Sequence, residues 1–503
     1  MNKRSSSAIR DRTPAGATSW RFRTYCQWKK WKKRPGGALI NFTVPLQICG
    51  ICKPRRGHFP ALENCKGDPS MSMLSSAIQR STLGLHSLEH YEPLIGGATI
   101  ERIAAKADRV RTMRVAHISS TFYGGGVTEL LTPLTLMMNA TGIETDWHLI
   151  QGTPGYFGCT KKIHNTLQGE SLDFSDAEKT IYEQVVFENA TRLHLEECDA
   201  IIVHDPQPLP LITHFSDREM PWLWQCHVDL SSPYAPAWTY LRQFIEQYNA
   251  AIFSLPEYSK DLRVDQRFVT PAIDPFSAKN RDLSDREIGE FLGNYKIPTD
   301  RPLVAQISRF DRWKDPMGVI EAFRKAREQA DCRLVGNNAS DDPEGGKILE
   351  TIKSVADESI IVLAVDDPTL VNALQRSAAV VLQKSTREGF GLTVTEAMWK
   401  GAAVIGGDVG GIRHQIKDEW NGFLVSTPDQ AAARMVQLLK DPGLRQQIGS
   451  RAKESVRQNF FDEPAIRGLA RPAVQIRTAG GLTGLDSRAP DTSMVESRCE
   501  LLR

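Results

Sequence analysis

Apolar and polar positions along this chain form two long patterned blocks between ends that show no pattern. From Leu88, LEHYEPLIGGATIERIAAKADRV carries apolar residues at a spacing suited to a helix packed on a domain surface. RVAHIS (114–119) is a short buried-strand signal, and VTELLTPLTLMMNATG after it is an amphipathic helix candidate stopped by Gly142. The alternation continues with strands at 145–151, 200–205, 222–230 and 250–254 and helices at 177–197 and 237–248. PAIDPFSAKN (271–280) lacks a period and contains prolines, so it predicts a hinge. A second series opens with PLVAQIS (302–308), runs through helices near 316–329, 345–356 and 368–377, and has strands at 379–382 and 403–405. Its last helix falls near 443–458. Strand–helix alternation in two blocks predicts an α/β fold: two Rossmann-like, doubly wound domains facing an interdomain cleft. The expected domains are 88–275 and 276–460, flanked by a leader (1–87) and a tail (461–503).

Size and charge leave that picture intact. The 503 residues give room for two domains, and a net charge of +2 asks for no acidic partner. No run of 18 apolar residues occurs, so no membrane span is expected. Nine scattered cysteines without a framework pattern favour free thiols in a reducing, cytoplasmic setting.

The leader changes the picture more. Between Lys3 and Arg34 eleven Lys or Arg stand against one acid, Asp11, with Trp20, Trp28 and Trp31 interleaved. An organelle transit peptide, a nucleic-acid-binding arm and a small zinc site at Cys49, Cys52, His58 and Cys65 all compete there. The plainer expectation is a disordered extension, or sequence upstream of a natural start at Met71 or Met73, and nucleic acid is not expected as a partner. The tail mixes Pro, Gly, Ser and Arg and reads as flexible.

Candidate chemistry centres on residues 384–411, KSTREGFGLTVTEAMWKGAAVIGGDVGG. Glu388 opens a turn containing Gly389, Phe390 and Gly391, Leu392 follows, and Glu396 lies eight positions after Glu388. Such a turn lets backbone N–H groups approach an anion, and the helix behind it adds a positive dipole end. One carboxylate could hold sugar hydroxyls beside the phosphates and the other a ribose, a layout for a nucleotide-sugar. Taken alone, both glutamates would usually be solvated helix charges. A glycine run, Gly124, Gly125 and Gly126, follows the first strand, and polar residues gather past later strand ends: His204 and Asp205, then His227 and Asp229. Ligands bind at such strand ends, although each residue singly is more often a cap or a satisfied buried group.

Arg309 and Lys314 in SRFDRWKDP complete the set. With them the chain resembles retaining glycosyltransferases of the GT-B fold, family four, in which R-x4-K and E-x7-E line the donor site. STFYGGGVTELL, HDPQPL, WQCHVDLSSP, SLPEYSKDL, SRFDRWKDPMGVIEAF, DDPEG and QKSTREGFGLTVTEAMWKG extend the resemblance to trehalose glycosyltransferring synthases over roughly 88–460. The resemblance implies transfer of glucose from an ADP-, UDP- or GDP-glucose donor to a glucose acceptor, forming α,α-trehalose with retention. It implies that Arg309 and Lys314 meet the diphosphate and that Glu388 holds donor glucose. Glu396 would hold the ribose, with residues 389–392 along sugar and phosphate. His227 would touch the reacting glucose, Asp229 and Asp205 would serve the acceptor side, and residues 124–126 would close the cleft. No Asp-x-Asp occurs, so no protein-held metal is signalled; no cofactor is required, and Mg²⁺ would at most stimulate. A homodimer is compatible with this reading.

The sequence departs from the family pattern in three places. CRLVGNNAS, with little more than Leu334 and Val335, predicts a trimmed core strand. The family's closing helix gives way to the unpatterned tail, and the basic leader has no counterpart. A trehalose phosphorylase is the alternative enzyme, and a sugar-nucleotide-binding homologue without turnover the alternative of another class.

Overall fold

The computed structural model describes residues 88–121, 125–216, 219–337 and 343–460. The leader, the tail and Gly124 lie outside them, and with the leader the suggested zinc ligands.

Two six-stranded, wholly parallel sheets carry the fold. The first holds β1 (Arg114–Ser119), β2 (Glu144–Leu149), β3 (Ala200–His204), β4 (Trp222–Cys226), β5 (Ala250–Phe253) and β6 (Asp265–Phe268) in the order β2-β1-β3-β4-β5-β6. Helices α1 (Gly97–Arg109), α2 (Gly126–Ala140), α3 (Pro154–Leu167), α4 (Asp176–Ala190) and α5 (Ala235–Ile245) belong to this half of the chain. The second sheet holds β7 (Leu303–Ile307), β8 (Arg333–Asn337), β9 (Ile360–Leu363), β10 (Ala378–Gln383), β11 (Val404–Gly407) and β12 (Phe423–Val425), ordered β12-β11-β10-β7-β8-β9. Its helices are α6 (Asp285–Asn294), α7 (Pro316–Arg327), α8 (Pro343–Val355), α9 (Pro368–Ser377), α10 (Leu392–Trp399), α11 (Gly410–Gln415), α12 (Pro428–Lys440) and α13 (Pro442–Phe460).

Central strands β3, β5 and β7 are buried along their whole length, as strands covered by helices on both faces must be. The strand expected to be trimmed is formed and is paired on both sides. Arg333–Asn337 is five residues long, like β7, pairing with β7 over its full length and with β9 at 334–337. Parallel pairing needs backbone rather than an apolar run, so Arg333 and Asn337 extend a strand whose apolar part is short.

The segment before β1 joins both halves. Ala107 and Val110 pack under the first sheet, while Ile95 and Ile103 share a core cluster with Phe390, Met398 and Val456 of the second. Tyr91 donates to Asp274 in the hinge (3.1 Å) and meets Phe276 edge to face.

Candidate active site

The C-terminal ends of the two sheets face one cavity of about 810 Å³. Crossover helices force this, because each parallel strand hands its chain to a loop at that end. Arg309, Lys314, Glu388, Gly389, Phe390, Gly391, Leu392 and Glu396 line it from the second lobe. Gly125, Gly126, Asp205, His227 and Asp229 line it from the first. Every described residue given a donor, acceptor or cleft role in the sequence faces this one cleft, whereas His204, buried at the end of β3, does not line it.

Lys314 is placed by backbone. The turn after β7 is held by Gln306 Nε2 donating to the Lys314 carbonyl (3.0 Å) and by Thr386 N donating to the Trp313 carbonyl (2.8 Å). Asp315 caps α7 in a left-handed conformation, accepting from Gly318 N, and pairs with the buried Lys384. The Lys314 ammonium reaches Glu388 Oε2, which also accepts from Ser385 Oγ (3.0 Å). Glu388 N lies 3.4 Å from Asp229 Oδ2 across the cleft.

Two glycines of the turn are required by contact and conformation. A β-carbon on Gly389 would lie 2.0 Å from the His227 carbonyl oxygen, and Gly391, the N-cap of α10, has φ +88°. Only a bare backbone lets the lobes approach this closely.

Glu396 Oε1 lies 3.1 Å from Lys279 Nζ, and Lys279 donates to Glu129 of α2 at 2.6 Å, so one ammonium bridges carboxylates of both lobes. Burial raises the Glu129 carboxyl, with Glu396 adding to the rise while Lys279 opposes it. Asp205 follows β3 with φ +63° and accepts the His227 backbone N–H at 2.7 Å. Burial pushes its carboxyl up and the His227 imidazole down.

Three buried polar atoms of lining residues have no protein partner: Gln168 Nε2, Gln383 Oε1 and Glu396 Oε2. Unpaired groups of this kind are uncommon in an interior, and three around one cavity mark where a polar ligand would bond.

Sequence reasoning missed a wall of this cavity. His164 and Gln168 come from α3 and its C-cap, and Asp311 and Trp313 from the turn after β7. Trp313 Nε1 donates to Asn165 Oδ1 (3.2 Å) and Lys161 Nζ to Asp311 Oδ2 (3.0 Å), tying the lobes together. Burial opposes the charge on Asp311, but Lys161 and Arg309 outweigh it and hold the carboxyl at about 2. Burial and the cations Arg309 and Lys161 push His164 down to about 3. Glycines at 155 and 158 blur the period of α3; the usable signal was Thr153–Pro154, a cap followed by proline at the first helical position.

Among the described residues no group of three His, Cys, Asp or Glu could hold a metal ion. No helix there is long and apolar enough to cross a membrane.

Two family models match: "Trehalose synthase, N-terminal domain" over 117–260 and "Glycosyl transferases group 1" over 288–455. The chain is 41% identical over 396 residues to a trehalose synthase of Pyrococcus horikoshii, covering 76% of this chain and 95% of that one. It is 26% identical over 436 residues to a trehalose phosphorylase of Pleurotus pulmonarius, covering 74% of this chain and 58% of the relative. The solved α,α-trehalose 6-phosphate synthase of Burkholderia multivorans superposes with a TM-score of 0.60 at 16% identity, over 73% of this chain and 99% of that one. The fold is GT-B. A glycine turn braced by Lys314 and Glu388, set in two lobes that each match a glycosyltransferase model, places the chain in the trehalose synthase family.

Proposed function

We propose that the protein transfers glucose from a nucleoside-diphosphate glucose to free glucose, forming α,α-trehalose with retention. The supporting observation is that Arg309, Lys314, Glu388 and Glu396 line one cavity whose opposite wall carries His227 and Asp229. The C1–O bond to the diphosphate breaks while the C1 hydroxyl oxygen of the acceptor glucose bonds to C1 from the same face. The acceptor proton passes to the departing phosphate oxygen, so no enzyme nucleophile is needed.

Negative charge grows on the diphosphate, and Arg309 meets it with a planar fork, Lys314 with a point charge. These cations neutralise the leaving group without a protein-held metal, leaving Mg²⁺ the role of a stimulant. Glu388 uses Oε2 on Lys314 and Ser385, leaving Oε1 for donor hydroxyls. Glu396 Oε2 has no partner and suits a ribose hydroxyl. That orphaned oxygen favours a nucleotide donor over glucose 1-phosphate, the donor of the phosphorylase reading. Pairing of β8 with both neighbours answers the strand-based reason for supposing a homologue without turnover; the tail, the other reason, lies outside the described residues. Four described cysteines are free thiols, which suits the cytoplasm.

The test is incubation of the full chain with glucose and, in parallel, ADP-, UDP-, GDP-glucose or glucose 1-phosphate. Trehalose from at least one nucleotide-sugar supports the reading; trehalose from glucose 1-phosphate alone moves the protein to the phosphorylases.

A further inference from the structure

Three imidazoles run in file from the interior of the first sheet to the cavity. His117 lies on β1, His204 ends β3 and His227 follows β4, on three neighbouring strands. His117 Nδ1 is 2.9 Å from His204 Nε2, and His204 Nδ1 is 3.1 Å from His227 Nε2. Successive rings are near parallel, at 22° and 16°. The inner end, His117 Nε2, is buried without a partner, and the outer residue, His227, lines the cavity.

A neutral imidazole carries one N–H, so the two linked bonds must run in the same direction. Running outward, each Nδ1–H donates to the next ring, a lone pair stays buried at His117, and His227 offers Nδ1–H to the cavity. Running inward, an N–H is buried without an acceptor at His117, and a lone pair of His227 faces the cavity beside Asp205. A buried N–H with no acceptor is the rarer defect, and a lone pair is repelled by a neighbouring carboxylate. Both considerations select the outward direction.

His227 could take a second proton only if the whole file reversed, which would strand that N–H at His117. The other titratable groups facing the file are His148 of β2, beside His117, and Asp205, beside His227. Burial depresses all three rings, His117 to about 3, so none gains a proton from its surroundings.

We propose that His204 and His117 are positioning residues that lock His227 as the neutral Nδ1–H tautomer, a hydrogen-bond donor to a sugar oxygen rather than an acid or base. The sugar contact rests on the function proposed above; the tautomer does not.

The test is the imidazole ¹⁵N–¹H long-range spectrum of ¹⁵N-histidine-labelled full chain without substrate, His227 being assigned by the signal lost in His227→Gln. The expected spectrum has a protonated Nδ1 and a bare Nε2 on His227, unchanged from about pH 8 to about pH 5.5, where a free histidine titrates. A proton on Nε2, or titration of His227 in that range, overturns the proposal. In His204→Phe, which removes the donor to His227 Nε2, the His227 spectrum should show a new share of the Nε2–H tautomer, and kcat/KM should fall roughly tenfold. A folded His204→Phe whose His227 remains wholly Nδ1–H overturns it too, and should that variant not fold, the wild-type spectrum decides. Absence of trehalose formation would count against the proposed reaction and leave the spectrum unaffected, so the two readings fail separately.

Discussion

The Tyr258 hydroxyl lies 2.8 Å from the Gly389 carbonyl oxygen, joining a loop of the first lobe to the glycine turn of the second. The Glu388 carbonyl is also within reach, at 2.9 Å, and burial with the nearby Asp229 and Glu388 charges keeps the phenol protonated. Tyr258→Phe leaves both carbonyls without this donor, at a cost of about 1 kcal/mol in the closed arrangement. The variant should fold normally and lose roughly five- to tenfold in kcat/KM; an unchanged value would show that the contact does not govern closure.

Gly389→Ala tests the same approach from the other side. Its β-carbon would fall 2.0 Å from the His227 carbonyl, so the lobes must part or the turn must move. We expect a far-UV spectrum like the wild type and activity reduced by about 10²-fold or more, since small misplacements of reacting groups are that costly. Wild-type turnover would mean the catalytic state is more open than this one.

Arg309→Ala and Glu388→Ala should each remain folded, Arg309 because it is partly exposed, at 40% of its side chain. Loss of a preorganised charge partner typically costs about 10²–10³ in kcat. Steady-state kinetics with glucose and the preferred nucleotide-sugar measure this, and near-normal kcat in either variant would refute its assigned role.

Much of this was legible in the sequence because burial on both faces of a parallel sheet leaves long apolar runs. RVAHIS became Arg114–Ser119, and the helix expected at 368–377 is Pro368–Ser377. The donor wall was legible because Arg309, Lys314, Glu388 and Glu396 stand at fixed spacings within two short segments. The α3 wall was not, since His164 and Gln168 come into play only when Lys161 and Asn165 dock on Asp311 and Trp313, some 150 residues away. Strands β6, β9 and β12 were missed for a local reason: Asp265–Phe268 is a polar edge strand, Ile360–Leu363 an edge strand of four residues, and Phe423–Val425 has only three. The bridging role of Lys279 was also hidden, because the unpatterned hinge gave no reason to choose one of its charges.

Acid should destabilise the fold through its buried histidines. His117 and His164 are both held at about 3, His117 by burial with His148 nearby, His164 by burial with Arg309 and Lys161. In the unfolded chain each binds a proton below about pH 6.5, while the folded chain does not until about pH 3. The unfolded state then holds more protons across that window, so stability rises with pH and is lost as pH falls from about 6.5 toward 3. The pair contributes a slope of up to roughly 3 kcal/mol per pH unit. Urea midpoints at about pH 7, 6 and 5 measure it, and His164→Gln should remove about half of this pair's share. A midpoint independent of pH would contradict the burial of both rings.

The most direct measurement is a proton NMR time course of the full chain with glucose and each of ADP-, UDP- and GDP-glucose. α,α-Trehalose and free nucleoside diphosphate should appear in equal amounts from at least one donor, with no β-linked disaccharide. Nucleotide-sugar left intact by all three incubations, or a β-linked product, would contradict the proposed transfer.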